Sequence, residues 1–81
     1  MEKEVTLPDL GEDAGDEATV TFFYVKEGDS ITEGDDLVEM ATDKATFNVP
    51  CPFTGTVKKL VAKPDDVVLV GGVLAIVETK D

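Results

Sequence analysis

The residues that could do chemistry in this chain are few. Acidic pairs stand at Glu12-Asp13, Asp16-Glu17, Asp35-Asp36 and Asp65-Asp66. Paired carboxylates can serve general acid–base catalysis or bind calcium. These pairs, however, sit in turn-like stretches and lack the spaced ligands of a dedicated calcium loop. There is no histidine, which removes the commonest general base and the commonest metal ligand. Cys51 is the single cysteine. It has no histidine to activate it, no second cysteine to pair with and no set of zinc ligands around it. Between Pro50 and Pro52 it reads as a small buried residue. Gly71-Gly72 lacks the strand–loop–helix setting of a phosphate loop. One residue remains, Lys44 in the stretch Thr42-Asp43-Lys44-Ala45. A turn lysine is ordinarily a solubility residue. What changes that reading is not the residue alone but the features around it.

The elements that must position Lys44 are short strands. Val5 and Leu7 alternate with polar neighbours until Pro8-Asp9, and Gly11 to Glu17 is an acidic loop. Ala18 to Val25 is β-branched and aromatic. In that segment Val20 and Phe22 fall on one face and Phe23 and Val25 on the other, which calls for a bulge near Phe22-Phe23. Turns follow around Gly28-Asp29 and Gly34-Asp35, with Ile31 between them. Leu37–Thr42 and Ala45–Val49 are the next strands, and they make Asp43-Lys44 the tip of a tight hairpin. Pro50 and Pro52 end the second of these strands, because proline cannot donate to a ladder. Thr56–Ala62, Val67–Val70 and Val73–Thr79 complete the set. No segment shows helical periodicity with caps.

The chain also repeats itself. Residues 18–44 slid by 37 positions onto residues 55–81 give seven identities in 27: Thr19/Thr56, Val20/Val57, Lys26/Lys63, Asp29/Asp66, Gly34/Gly71, Leu37/Leu74 and Thr42/Thr79. Neither copy could bury its apolar face alone; two packed face to face could. The fold expected is therefore all-β, a flattened barrel or sandwich of two small antiparallel sheets with an internal pseudo-twofold duplication, over residues 1–81 as one domain. Its core is expected from Val5, Leu7, Val20, Phe23, Val25, Ile31, Leu37, Met40, Phe47, Val57, Leu60, Val68, Leu74, Ile76 and Val77. Ile76 and Val77 cannot both face inward on a regular strand. The repeat places Asp43-Lys44 opposite the C-terminus.

Composition excludes whole classes. The 81 residues carry 18 acidic and seven basic side chains, all seven lysine, for a net charge of −11. That charge repels nucleic-acid phosphates and anionic membrane surfaces. No apolar run approaches a bilayer span, and the N-terminus Met1-Glu2-Lys3-Glu4 resembles neither a signal nor a transit peptide. The expectation is a soluble domain in a reducing, intracellular compartment.

With these residues in place, the chain closely resembles the lipoyl domain of 2-oxo acid dehydrogenase complexes, within the biotinyl/lipoyl carrier family. The opening Leu7-Pro8-Asp9-Leu10-Gly11-Glu12, the turn Val25-Lys26-Glu27-Gly28-Asp29-Ser30-Ile31, the stretch Thr42-Asp43-Lys44-Ala45 and the segment Val49-Pro50 to Gly55 follow in the family's order and spacing. Departures are Ala41, where many members have Glu, and Phe23, where relatives often have Trp. The resemblance implies a barrel-sandwich hybrid fold with lipoate in amide linkage on Lys44, and with Asp43 and Ala45 as the turn neighbours that a modifying enzyme recognises. The Asp43 side chain is expected to shape the turn. The implied function is a swinging-arm carrier rather than an enzyme, expected as part of a dihydrolipoamide acyltransferase. The chemistry belongs to the cofactor, and tethering keeps it at high effective concentration.

The implied partners are a lipoate ligase or lipoyl transferase, a thiamine diphosphate-dependent 2-oxo acid decarboxylase, the acyltransferase core and dihydrolipoyl dehydrogenase. Asp13, Asp16 and Glu17 are expected near the same pole as Lys44, as recognition residues for the decarboxylase. The isolated domain is expected to be a monomer. Its expected location is the bacterial cytoplasm, or the mitochondrial matrix if the domain is excised from a eukaryotic precursor. Two rivals stand beside this reading. Biotin carrier domains share the architecture but typically show Met-Lys-Met at the hairpin, where this chain has Asp43 and Ala45. An acidic interaction module would leave Lys44 unmodified. The hydrogen carrier of the glycine cleavage system is longer and carries extra helices.

Overall fold

The computed structural model describes residues 1–10 and 15–80. Eight strands follow one another: β1 (Glu2–Thr6), β2 (Glu17–Phe23), β3 (Ser30–Ile31), β4 (Asp36–Ala41), β5 (Thr46–Pro50), β6 (Gly55–Leu60), β7 (Val67–Leu69) and β8 (Val73–Glu78). They form two four-stranded antiparallel sheets. One has the order β1-β8-β6-β3 and the other β5-β4-β2-β7. No helix occurs among the described residues. The envelope is flattened, 36 × 21 × 17 Å.

The two sheets are copies. Shifting β2, β3 and β4 by 37 positions superimposes them on β6, β7 and β8, and the strand orders then match term for term with β5 in the place of β1. The likeness extends to hydrogen bonds. The Lys26 N–H donates to the Asp29 carboxylate at 2.9 Å, and the Lys63 N–H to the Asp66 carboxylate at 3.0 Å. The Gly28 N–H crosses to the Val57 carbonyl at 2.7 Å, and the Asp65 N–H to the Val20 carbonyl at 2.8 Å. These exchanged bonds stitch each half to the other.

Bulges decide which side chains face inward. The β2–β4 register slips between Val20 and Phe22, and the β6–β8 register between Val57 and Lys59. The bulge in β2 therefore lies at Thr21, ahead of the Phe22-Phe23 position expected from alternation. It turns Val20 and Phe23 to the core and leaves Phe22 41% exposed. A second slip, between Asp36 and Val38 of β4, lets neighbouring Leu37 and Val38 both be fully buried. Its counterpart opposite β1 does the same for Leu74 and Ala75.

Val5, Leu7, Val20, Ile31, Leu37, Met40, Val57, Leu74 and Val77 are buried as expected. Phe23, Val25, Phe47, Leu60 and Val68 are half-buried against that cluster. Ile76 is not in the core: Val77 takes the inward position and Ile76 points to the outer face. Ala18, Val38, Val49, Cys51, Ala62 and Ala75 join the core instead. Truncating a fully buried Leu37, Met40 or Leu74 to alanine would cost about 2–5 kcal/mol.

Candidate functional site

Lys44 stands exposed at the tip of the β4–β5 hairpin. The hairpin is pinned by its register, Met40 opposite Phe47 and Ala41 opposite Thr46. Buried Met40 and Val49 hold its two strands to the core, so the tip rides on a rigid base. The turn is closed by Thr42. Its N–H donates to the Ala45 carbonyl at 2.8 Å. Its hydroxyl donates to the same carbonyl at 3.3 Å and lies 3.3 Å from the Lys44 N–H and 3.4 Å from the Ala45 N–H, which it accepts. A threonine hydroxyl used this way replaces backbone pairing in the turn.

Thr42 therefore takes the turn-shaping role expected of Asp43. The Asp43 side chain is exposed at the tip, and no hydrogen bond from it is found among the described residues. Neither Asp43 nor Lys44 has a positive φ, so the turn needs no glycine. Ala45 is exposed and contributes its carbonyl to Thr42. The Thr42 role was open to sequence reasoning, because a threonine two residues before the tip is an ordinary signal for a side-chain-closed turn.

Beside the hairpin lies a cleft of about 540 Å³, walled by residues 15–19 on one side and Ala41, Thr42 and Asp43 on the other. The β2–β4 register explains the meeting, since Thr19 faces Ala41 and the chain before Thr19 runs toward the tip. Asp16 and Glu17 thus share this cleft with Asp43, the residue before Lys44. Asp13 lies outside the described residues.

Cys51 is kept away from this pole. Its N–H donates to the Asp35 carbonyl at 2.8 Å, and its carbonyl accepts from Gly34 at 2.8 Å, at the far end of the same hairpin. Six residues, five of them the strand β5, separate it from Lys44, roughly 20 Å along the chain. The thiol is fully buried and donates to the Phe53 carbonyl at 3.1 Å. Burial pushes its pKa up, against a smaller lowering by the Phe53 hydrogen bond and with a further push from the Asp35 charge. A raised pKa in an apolar setting makes this an inert packing residue.

Comparison with known proteins agrees with this geometry. A family model described as "Biotin-requiring enzyme", of the biotin/lipoyl type, matches residues 3–77. The dihydrolipoyllysine-residue acetyltransferase component of the Haemophilus influenzae pyruvate dehydrogenase complex is 44% identical over 71 residues, covering 88% of this chain and 12% of that protein. Its Corynebacterium glutamicum counterpart is 37% identical over all 81 residues, again 12% of its length. The chain thus spans about one eighth of the length of these two relatives. The solution structure of the lipoyl domain of the Azotobacter vinelandii 2-oxoglutarate dehydrogenase complex superposes with a TM-score of 0.74. It covers 96% of this chain and 98% of that one at 23% identity, a likeness of fold. With a family match over nearly its whole length and the same two-sheet fold, the chain belongs to the biotin/lipoyl attachment-domain family.

Proposed function

We propose that this chain is a lipoyl carrier domain, residues 1–81, that holds lipoate in amide linkage on Lys44. It would pass acyl groups and reducing equivalents among the sites of a 2-oxo acid dehydrogenase complex. The observation that carries the reading is the Lys44 hairpin: an exposed amine on a rigid, side-chain-closed turn, flanked by Asp43 and Ala45. Those flanks favour lipoate over biotin. The relatives named above are dihydrolipoyllysine-residue acetyltransferase components, names that point to a lipoyl rather than a biotinyl group, which supports the same choice.

The residues fit the group. Attachment joins the Lys44 Nζ to the carboxyl carbon of an activated lipoate. A C–N bond forms, one amine proton leaves, and the activating group departs with the carboxyl oxygen. When bound, the dithiolane supplies reductive acyl acceptance and electron carriage. The chain's own part is positional. Thr42 fixes the direction in which Lys44 leaves the surface. Met40 and Val49 anchor the hairpin, and the acids Asp16 and Glu17 colour the field around the tip. Tethering then keeps the arm at high effective concentration near each partner site. The partners proposed are a lipoate ligase, the thiamine diphosphate-dependent decarboxylase, the acyltransferase core and dihydrolipoyl dehydrogenase, with this domain a substrate of each.

The test is the intact mass after expression with lipoate and its ligase, beside a Lys44→Arg control. A gain of one lipoyl group, absent in the control, is expected. A biotinyl gain instead would move the domain to the carboxylase side of the family. No gain, in a host that lipoylates its own proteins, would sink Lys44 as the site.

A further inference from the structure

The duplication supplies an internal comparison for the outer edges of the two sheets. The edge strand β3 reads Ser30-Ile31, and the residues after it are Thr32 and Glu33. Its repeat partner β7 reads Val67-Val68-Leu69, followed by Val70. In both strands the equivalent residue, Ile31 or Val68, turns inward. The fold therefore needs one apolar side chain at this edge, and β3 supplies it with polar neighbours. β7 instead leaves Val67 58%, Leu69 60% and Val70 39% exposed. Packing does not require these three side chains, and water opposes their exposure.

Their place in the register is close to Lys44. Val67 pairs with Thr19, Thr19 with Ala41, and Ala41 with Thr46, one row across the outer face at the base of the tip. Leu69 pairs with Glu17, one row nearer the tip. β7 lies two strands from β4, about 10 Å across the sheet. Around the apolar edge stand Asp16, Glu17, Asp65 and Asp66, all exposed.

We propose that Val67, Leu69 and Val70 are the docking surface for the enzyme that acylates Lys44, and that this enzyme meets them with an apolar patch rimmed by basic side chains. This rests on the carrier reading above. An enzyme that acts on the Lys44 amine must bring its active site onto the hairpin itself. A standard interface of about 800 Å² per partner is a disc of roughly 16 Å radius, and centred on the hairpin tip it takes in β7. An enzyme that works at the far end of a finished arm acts an arm's length from the hairpin, so its geometry does not oblige it to cover β7. The acidic rim selects a basic partner, and the net charge of −11 opposes a second copy of the chain.

The test is the Val67→Ser/Leu69→Thr double variant, which gives β7 the residues that β3 already carries in the same fold. Thermal melting checks that it is folded. Steady-state acylation by a lipoate ligase with lipoate and ATP is then followed by intact mass. KM for the domain is expected to rise at least tenfold with kcat little changed, and wild-type KM to rise with salt. As a second measurement, titrating isotope-labelled wild-type domain with ligase, without ATP, should perturb the Val67, Leu69 and Val70 resonances together with the hairpin. Wild-type modification with an unchanged KM in the variant would overturn the docking surface and leave Lys44 intact as the site. Perturbation confined to β4 and β5 would do the same. A wild-type dimer in sedimentation that the variant disperses, with acylation unaffected, would assign the patch to self-association and also overturn it. A wild type that is never modified would remove both proposals.

Discussion

Thr42 and Thr79 occupy equivalent positions in the two halves, and each closes the end of its sheet in the same way. The Thr42 N–H and hydroxyl both reach the Ala45 carbonyl, at 2.8 and 3.3 Å. The Thr79 N–H and hydroxyl both reach the Met1 carbonyl, at 2.7 and 3.0 Å. In one half the two strands are joined by Asp43-Lys44. In the other the same geometry holds β1 to β8 across residues distant in sequence. The hairpin is therefore a covalently closed version of a junction that the fold also makes without a link. Lys44 stands on the link.

Replacing Thr42 with valine keeps its shape and removes the hydroxyl. Net loss of an exposed hydrogen-bond set is worth about 1 kcal/mol, and urea unfolding should show it. Asp43→Asn should leave stability unchanged, because the turn does not lean on that carboxylate. Thr42→Val should also slow attachment at Lys44, as the tip samples more directions; time-resolved intact mass reads this directly.

Gly55 is the repeat partner of Ala18, yet the two are not interchangeable. Ala18 is buried and packed. A Cβ built on Gly55 would collide with the Glu78 backbone carbonyl, and with a Val77 methyl at 3.1 Å. Backbone cannot step aside without prising β6 from β8. Gly55→Ala is expected to cost about 2–4 kcal/mol and to lower the melting temperature by roughly 10–30 °C. The same methyl, already present at Ala18, marks the loss as one of contact rather than of propensity.

Much of this was legible in the letters, for a physical reason. The offset of 37 aligned Leu37 with Leu74 and Val20 with Val57, and a duplicated core must place such pairs alike. The hairpin tip followed from two apolar strands flanking Asp43-Lys44. What alternation could not supply was the bulges, since one extra residue at Thr21 or Leu37 reverses every side chain beyond it. That is why Val38 was not expected in the core and Ile76 was. The Thr42 hydroxyl was legible, because its partners lie two and three residues along the same turn. The apolar face of β7 was hidden for another reason: its place beside the hairpin depends on neighbours that only the register brings together.

Gly28 and Asp65 test the duplication at the level of the backbone. Both have positive φ, 95° and 75°, and both send their N–H across to the other half. Nothing lies within 4 Å of a Cβ added at Gly28, so only conformation resists substitution there. Gly28→Ala is expected to cost about 1 kcal/mol. Gly28→Asp should cost less, because Asp65 already accepts this conformation in the second copy and aspartate tolerates it better than alanine. Asp65→Gly should be neutral or slightly stabilising. Chemical denaturation of the three variants ranks them; a Gly28→Asp loss larger than that of Gly28→Ala would contradict the equivalence.

Cys51 gives the pH dependence. Its thiol is held above its ordinary pKa, chiefly by burial. Below the unfolded-state pKa, about 8.5, both states keep the proton and the thiol adds no pH dependence. Above it the unfolded chain ionises first, so the unfolded state binds fewer protons than the native one and stability falls as pH rises. The slope cannot exceed about 1.4 kcal/mol per pH unit from this group. Lysines also titrate in that range, so the comparison must be with Cys51→Ala, which keeps them all. The stability difference between wild type and variant should be flat to about pH 8 and then drift against the wild type. In the native state the thiol should react with a disulfide reagent only as fast as the domain opens. Fast labelling of the folded protein, or a difference that stays flat through pH 10, would show that the thiol is not sealed in the core.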